Sequence, residues 1–274
     1  MSSQFDFKNK NVVVVGGTSG INQGVAECFA RAGARVAVAS RSEEKVTATV
    51  ELLEKAGAQA QGFCCDVRDA EALEKGLKGV HEAWGDIDVL ISGAAGNFPA
   101  LVDGLSSNGF KAVVDIDLVG TFHVMKAAYP LLRKPGASIV NISAPQAFLP
   151  MVAQAHVCSA KAGVDMITRC LALEWGPEGI RINSVVPGPI EETEGMKRLA
   201  PTPEFIEKAR ESVPLKRLGK KQDIGNTCLF LASEQASYIN GTVIPVDGGW
   251  SLGGASELSN QLGEMFKQLT KAGR

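Results

Sequence analysis

Asn11-Val12-Val13-Val14-Val15-Gly16-Gly17-Thr18-Ser19-Gly20-Ile21-Asn22 is the stretch on which the fold turns. From Asn11 to Val15 the valines run on without polar alternation, which predicts a strand covered on both faces. A glycine-rich turn follows at once. Ile21, Val25, Cys28, Phe29 and Ala32 then recur at helical spacing, Gly33 closes the helix, and Val36-Ala37-Val38-Ala39 begins a second strand. A buried strand, a turn of small residues, a helix and another strand make one βαβ unit. A glycine turn at such a junction lets backbone amides and the positive helix end meet a pyrophosphate. Taken alone that signal is weak; its place directly after the first strand strengthens it.

The pattern repeats outward. Further apolar runs span Gly62 to Cys65, Val89 to Ile91, Ser138 to Ile142, Ile182 to Val186 and Thr242 to Val246, with helix-period segments between them. This predicts an α/β chain with a seven-stranded parallel sheet. Right-handed crossovers make it doubly wound, with helices on both faces. The helix running from Ser159 carries Val164, Ile167, Leu171 and Trp175 on one side. Residues 190–213 read as helical but more polar, bounded by Pro187, Pro189 and Pro214. From Ala255 a helical tail carries Leu258, Leu262, Met265, Phe266 and Leu269, expected to dock on the surface of the fold. With no repeat, linker or low-complexity stretch, the 274 residues read as a single domain.

Composition narrows the function. Hydrophobic residues make up 45%, enough for a sizeable core, and a net charge of -2 argues against nucleic acid as a partner. No apolar run is long enough to span a bilayer, and the start lacks the apolar core of a secretory signal. The six cysteines (28, 64, 65, 158, 170, 228) show no ligand or redox spacing. They read as reduced, mostly buried small apolar residues, and Cys64 and Cys65 are expected to point to opposite faces of a strand. No metal site is expected. The C-terminal Lys271-Ala272-Gly273-Arg274 is not a peroxisomal address, so a cytoplasmic location is expected.

Three further segments join the first turn: Ser92-Gly93-Ala94-Ala95-Gly96-Asn97-Phe98-Pro99, His156-Val157-Cys158-Ser159-Ala160-Lys161-Ala162-Gly163, and Pro187-Gly188-Pro189-Ile190. Together these resemble the short-chain dehydrogenase/reductase family over about residues 8–253. The resemblance implies a Rossmann fold with strand order 3-2-1-4-5-6-7 and a nicotinamide cofactor. It also implies a mobile lid over the substrate at 190–213, and a homotetramer assembled through the lysine-bearing helices. Val15 and Asn22 stand where the family's first motif has Thr and its third Gly. Asn is the non-glycine residue that best tolerates a left-handed backbone, so the turn is expected to survive.

The resemblance places the cofactor against Gly16, Thr18, Ser19, Gly20 and Ile21, with Asp66 and Val67 at the adenine edge. Gly93, Ala94 and Ala95 leave room for the adenosine ribose, Gly96 is also expected to face the cofactor, and Pro187, Gly188, Ile190 and Thr193 form the nicotinamide side. The second strand ends in Ala39-Ser40-Arg41-Ser42, with no acidic residue before Glu43 to hold two ribose hydroxyls. Arg41 can instead pair with a 2′-phosphate, so NADPH is the expected cofactor.

The catalytic pattern departs from the family's. A Tyr usually stands four residues before the Lys, as the acid for carbonyl reduction; here that position is Val157, which has no ionisable proton. Lys161 remains, and Ser143 ends the fifth strand where the family has its serine. Asp117, within Asp115-Ile116-Asp117, occupies a position that is usually Asn; it reads either as the holder of a proton-relaying water or as a structural ion pair. His156 is the nearest titratable group to the lost tyrosine, and reads either as a site residue or as a bystander.

These departures resemble one branch, the 2,4-dienoyl-CoA reductases, most like the peroxisomal type. Ala95-Gly96-Asn97-Phe98, Glu174-Trp175-Gly176-Pro177 and Thr193-Glu194-Gly195 add to that likeness. The branch implies NADPH, an Asp and a Lys at positions 117 and 161, an acyl-CoA substrate and a 3-enoyl product. Asn97 and Phe98 would bound the acyl pocket. The displaced tyrosine of mitochondrial members would fall at position 146, which is Gln146 here. Two other readings stand beside this one: a 3-oxoacyl thioester reductase using His156, and a catalytically silent NADP(H)-binding protein.

Overall fold

The computed structural model describes residues 5–199 and 202–272. Seven parallel strands form one sheet: β1 (Asn11–Val15), β2 (Arg35–Ser40), β3 (Ala60–Cys64), β4 (Val89–Ser92), β5 (Ser138–Ile142), β6 (Arg181–Pro187) and β7 (Val243–Val246). Their order is β3-β2-β1-β4-β5-β6-β7, as expected. The chain order reverses between β1 and β4, and at such a switch point the carboxyl ends of the strands leave a crevice.

The uninterrupted valines of β1 have the anticipated cause. Val12 and Val14 point into one apolar layer with Val25, Phe29, Val38 and Ile224. Val13 and Val15 point into the opposite layer with Leu73, Leu77, Leu90 and Met125. The first layer is roofed by α1 (Gly20–Arg31), α2 (Glu43–Lys55) and α9 (Lys221–Ala232). The second is roofed by α3 (Ala70–Trp84), α5 (Gly120–Ala128) and α6 (Ala155–Trp175). Burial on this scale stabilises by about 25 cal/mol per Å² of apolar surface. The run predicted from Gly62 is shifted: β3 covers Ala60–Cys64, leaving Cys65 just past its end.

All six cysteines are free. Cys28, Cys65 and Cys228 are buried, Cys158 is half-buried, and Cys64 and Cys170 are exposed, so burial is less general than expected. Cys64, the last residue of β3, is exposed, and Cys65, just past it, is buried.

A third apolar cluster lies apart from the sheet. The predicted polar helical region comprises α7 (Glu194–Leu199) and α8 (Pro203–Ser212), with residues 200 and 201 outside the described ones. The tail is α10 (Gly254–Ala272). Met196, Ala209, Val213, Trp250, Ala255, Leu258 and Leu262 pack together there, with Leu149 and Met151 at the edge. The tail therefore docks on α7 and α8; the side chains of Phe266 and Leu269 lie outside the described ones. Among the described residues, no helix is long and apolar enough to cross a membrane, and no cluster could hold a metal ion.

Candidate active site

Above the carboxyl ends of the strands lies a cavity of ≈ 520 Å³. At one end are Arg41 and Asp66, in the middle Gly16, Thr18, Ser19, Gly20 and Ile21, and at the far end Asp117, Ser143 and Lys161. Val67, Ala94, Ala95, Gly96, Pro187, Gly188, Ile190 and Thr193 line it as well. Every residue expected to face the cofactor thus lines this one cavity.

The first turn works differently from its sequence reading. The left-handed backbone belongs to Gly16 (φ 81) and Gly20 (φ 55), while Asn22 is an ordinary helical residue of α1. A Cβ on Gly16 would stand 2.7 Å from the Ala94 nitrogen, so only glycine lets β1 and the loop after β4 approach this closely. Asn22 is a strap: its amide donates to the Gly93 carbonyl at 2.7 Å. Asn22 thus fixes the first turn to the second wall of the cavity, a role that needs its side chain and not a special φ.

At the Arg41 end, Asp66 accepts two side-chain hydrogen bonds from Arg68, of 3.0 and 2.6 Å. The Arg68 guanidinium pulls the Asp66 carboxyl down to about 2. Arg41 lies 3.9 Å from the same carboxylate and is largely exposed at the mouth. Lys45, in the first turn of α2, joins it on the wall. The sequence offered a signal for Lys45 that was not read: it follows Arg41 by one helical turn.

At the opposite end, a π-helical segment, Asp115–Val119, interrupts the path from α4 (Ser107–Val114) to α5. Such widened turns redirect a side chain that a regular helix would aim elsewhere. Here Asp117 is 1% exposed, accepts from the Gly96 N–H at 2.7 Å, and stands 3.5 Å from the Lys161 ammonium. Lys161 also donates to the Ile142 carbonyl at 3.1 Å. A buried ion pair survives only with such added hydrogen bonds, because desolvation of both charges is costly. Ser143 is buried beside them on the cavity wall; its hydroxyl makes no hydrogen bond of normal length, and Asp165 lies within interaction range of it.

His156 and Phe98 fall elsewhere. His156 is adjacent to Val157 in sequence, but successive helical residues lie about 100° apart around the axis. Val157 lines the cavity, whereas the His156 ring is fully buried and turned to the Phe98 carbonyl, 2.8 Å from Nε2. Because a carbonyl only accepts, Nε2 carries the hydrogen. The rings of the two residues also lie 4.7 Å apart. This corrects the expectation for His156: it secures the loop that carries Asn97 and does not reach the cavity. Asn97 lines the cavity, while Phe98 sits on that loop with 38% exposure, off the cavity wall.

Gln146, Met196, Trp250 and Leu258 complete the far end. Gln146 donates to Gln154 at 2.8 Å. Leu258 comes from the tail helix; its helical period was legible, but its neighbours were not. The polar end of the cavity passes here into a wall formed by Met196, Trp250 and Leu258.

Comparison with known proteins gives the same picture. The family model described as enoyl-(acyl carrier protein) reductase matches residues 15–251. The peroxisomal 2,4-dienoyl-CoA reductase [(3E)-enoyl-CoA-producing] of Danio rerio is 41% identical, over 94% of this chain and 87% of its own. A Bacillus subtilis (strain 168) protein named "Probable 2,4-dienoyl-CoA reductase [(2E)-enoyl-CoA-producing]" is 39% identical, over 88% of this chain and 96% of its own. Among solved structures, a short chain dehydrogenase from Bacillus anthracis str. 'Ames Ancestor' superposes with a TM-score of 0.78 at 37% identity, covering 88% of this chain and 96% of that one.

Proposed function

Since the chain belongs to the short-chain dehydrogenase/reductase family, we propose that it reduces a 2,4-dienoyl-CoA to a 3-enoyl-CoA with NADPH. The observation that carries this reading is the buried Asp117–Lys161 pair beside Ser143, with Val157 where a carbonyl reductase needs an acid.

The residues fit the cofactor. Thr18, Ser19, Gly20 and Ile21 open α1 toward the cavity and would hold the pyrophosphate, as helix N-termini do. Arg41 and Lys45 would hold the 2′-phosphate, and Lys161 the nicotinamide ribose. Bound NADPH supplies the hydride.

The protein's part is charge and proton management. Hydride addition at the far end of the conjugated thioester builds negative charge on the thioester oxygen. No proton need reach that oxygen in the same step; donors aimed at it suffice. Ser143 is the hydroxyl donor, and Lys161 adds positive charge. Carbon is protonated afterwards, and a water held by Asp117 and Lys161 supplies that proton. Val157, Met196, Trp250 and Leu258 keep bulk water from the acyl chain, and Asn97 bounds it on the other side. Helices α7 and α8 act as a lid over this end.

The reading extends to assembly and location. Phe122, Met166 and Leu173 on α5 and α6 are 49%, 55% and 81% exposed, an apolar surface on the lysine-bearing helix that suits a homotetramer. Sedimentation velocity tests this. A cytoplasmic location suits the six free cysteines.

The test of function is NADPH oxidation with a 2,4-dienoyl-CoA beside a 3-oxoacyl thioester of equal length. Turnover of the first with little of the second is expected; the reverse would make the protein a carbonyl reductase. Arg41→Ala should weaken NADPH binding by about 1–3 kcal/mol, toward the lower figure because the side chain is exposed. NADH binding should be unaffected. Equal wild-type dissociation constants for the two cofactors would refute the 2′-phosphate assignment.

A further inference from the structure

A carboxylate that the mechanism above does not use lies behind Ser143. Asp165 sits on α6 one turn beyond Lys161 and is 4% exposed. Its Oδ1 and the Ser143 hydroxyl are both buried without a hydrogen-bond partner at normal length, and the two side chains lie within interaction range. Ser184 on β6 faces Asp165 from the other side.

The hydrogens around this group can be counted. Thr168 donates its single hydroxyl hydrogen to the Val164 carbonyl at 3.0 Å. The Thr168–Ser184 contact of 2.8 Å must therefore use the Ser184 hydrogen. Asn141 donates to the remaining Thr168 lone pair at 2.8 Å. Ser184 thus has only lone pairs left for Asp165. Ser143 alone, of the two hydroxyls, has a hydrogen to give, and that hydrogen is wanted in two places: at Asp165 and at the substrate oxygen.

We propose that Asp165 is a positioning residue for Ser143: ionised, it draws the Ser143 hydrogen away from the cavity, and neutral, it releases that hydrogen to the thioester oxygen. The physical basis is the strength of the competing acceptors. A carboxylate takes a hydroxyl hydrogen in a charge-assisted bond, roughly twice as strong as one to a neutral acceptor. A neutral carboxyl competes weakly against an oxygen that is gaining charge, and its own proton finds the Ser184 lone pair.

The surroundings permit the neutral form. Burial pushes the Asp165 carboxyl above the usual carboxylate range, opposed by the Ser143 hydroxyl and by Arg169 and Lys161. Of these charges, Arg169 is exposed and screened by water, while Lys161 is already engaged by Asp117 from the π-helical segment packed on α6. The sign follows: turnover is full below the Asp165 pKa and falls as pH rises through it.

The proposal rests on the reductase reading for its kinetic arm only. The experiment is a pH profile of kcat with a 2,4-dienoyl-CoA for wild type, Asp165→Asn and Ser143→Ala, beside an infrared pH titration of the protonated carboxyl stretch. Wild-type kcat should fall toward the Ser143→Ala level, about 100-fold lower, the scale for one lost oxyanion donor. The fall should track the loss of a carboxyl band that Asp165→Asn removes and Ser143→Ala shifts. Asp165→Asn, a neutral acceptor of the same shape, should stay active where wild type declines. An alkaline fall in Asp165→Asn matching wild type would overturn the proposal. So would a carboxyl band that Ser143→Ala leaves unmoved. If wild type turns over no dienoyl-CoA, the reductase reading fails, while the infrared titration still decides whether Asp165 and Ser143 share a proton.

Discussion

Asp117→Ala is expected to lower kcat for a 2,4-dienoyl-CoA by about 100- to 10,000-fold, the range for a positioned acid–base group. NADPH affinity should stay nearly unchanged, because Asp117 faces Lys161 and the loop at Gly96 and is assigned no bond to the cofactor. Two effects have to be separated. The alanine removes the charge beside Lys161, and it also releases the Gly96 N–H from its 2.7 Å bond. Asp117→Asn separates them, since an amide oxygen can still accept from Gly96 while the charge is gone. A large kcat loss in both variants assigns the effect to the carboxylate. Near-wild-type turnover in Asp117→Asn would make Asp117 structural and place the proton source elsewhere. Removing one partner of a buried pair also destabilises by about 3–5 kcal/mol, so thermal melts must show that each variant is folded at the assay temperature.

Lys161→Ala is expected to damage both quantities. It loses the charge beside the thioester oxygen and the contact to the cofactor ribose. A lost charged hydrogen bond is worth about 1.5–3 kcal/mol, which is about a 10- to 100-fold rise in the NADPH dissociation constant. The double variant with Asp117→Ala should be little worse in kcat than Lys161→Ala alone, because groups acting as a unit are strongly non-additive. Multiplying losses in steady-state kinetics would show that the two residues act independently.

The strands at the centre of the sheet were legible because burial on both faces makes their runs mostly apolar, and the polar residues they hold, Asn11, Ser138 and Asn141, are hydrogen-bonded. Asn11–Val15 and Ser138–Ile142 have the predicted bounds. β3 was misplaced by two residues at its start because it is an edge strand, where Gln61 and Phe63 are only half covered and the apolar signal fades. The lysine, the aspartate and the glycine turn were visible as residue types at fixed places along the chain. Their geometry was not. Asn22 looked like a substitute for a glycine, but the left-handed backbone falls at Gly16 and Gly20, and Asn22 serves through its amide. The π-helical turn at Asp115–Val119 leaves no mark in a reading based on 3.6-residue spacing. His156 was drawn to the site by adjacency to Val157, an inference that ignores the rotation between neighbouring helical residues. Leu258 shows the limit most plainly: the period of α10 says that Leu258 is covered, but only the docking of α10 on α8 shows that it also borders the cavity.

The central claim is that hydride addition and carbon protonation occur on a dienoyl thioester without an acid at position 157. Reduction of a 2,4-dienoyl-CoA by the wild-type protein and NADPH in D2O, with the product read by NMR, tests it most directly. The account predicts a 3-enoyl-CoA carrying one solvent deuterium at carbon 2 and cofactor hydrogen at carbon 5. An unchanged dienoyl-CoA, beside rapid reduction of a 3-oxoacyl-CoA to its alcohol, would contradict it.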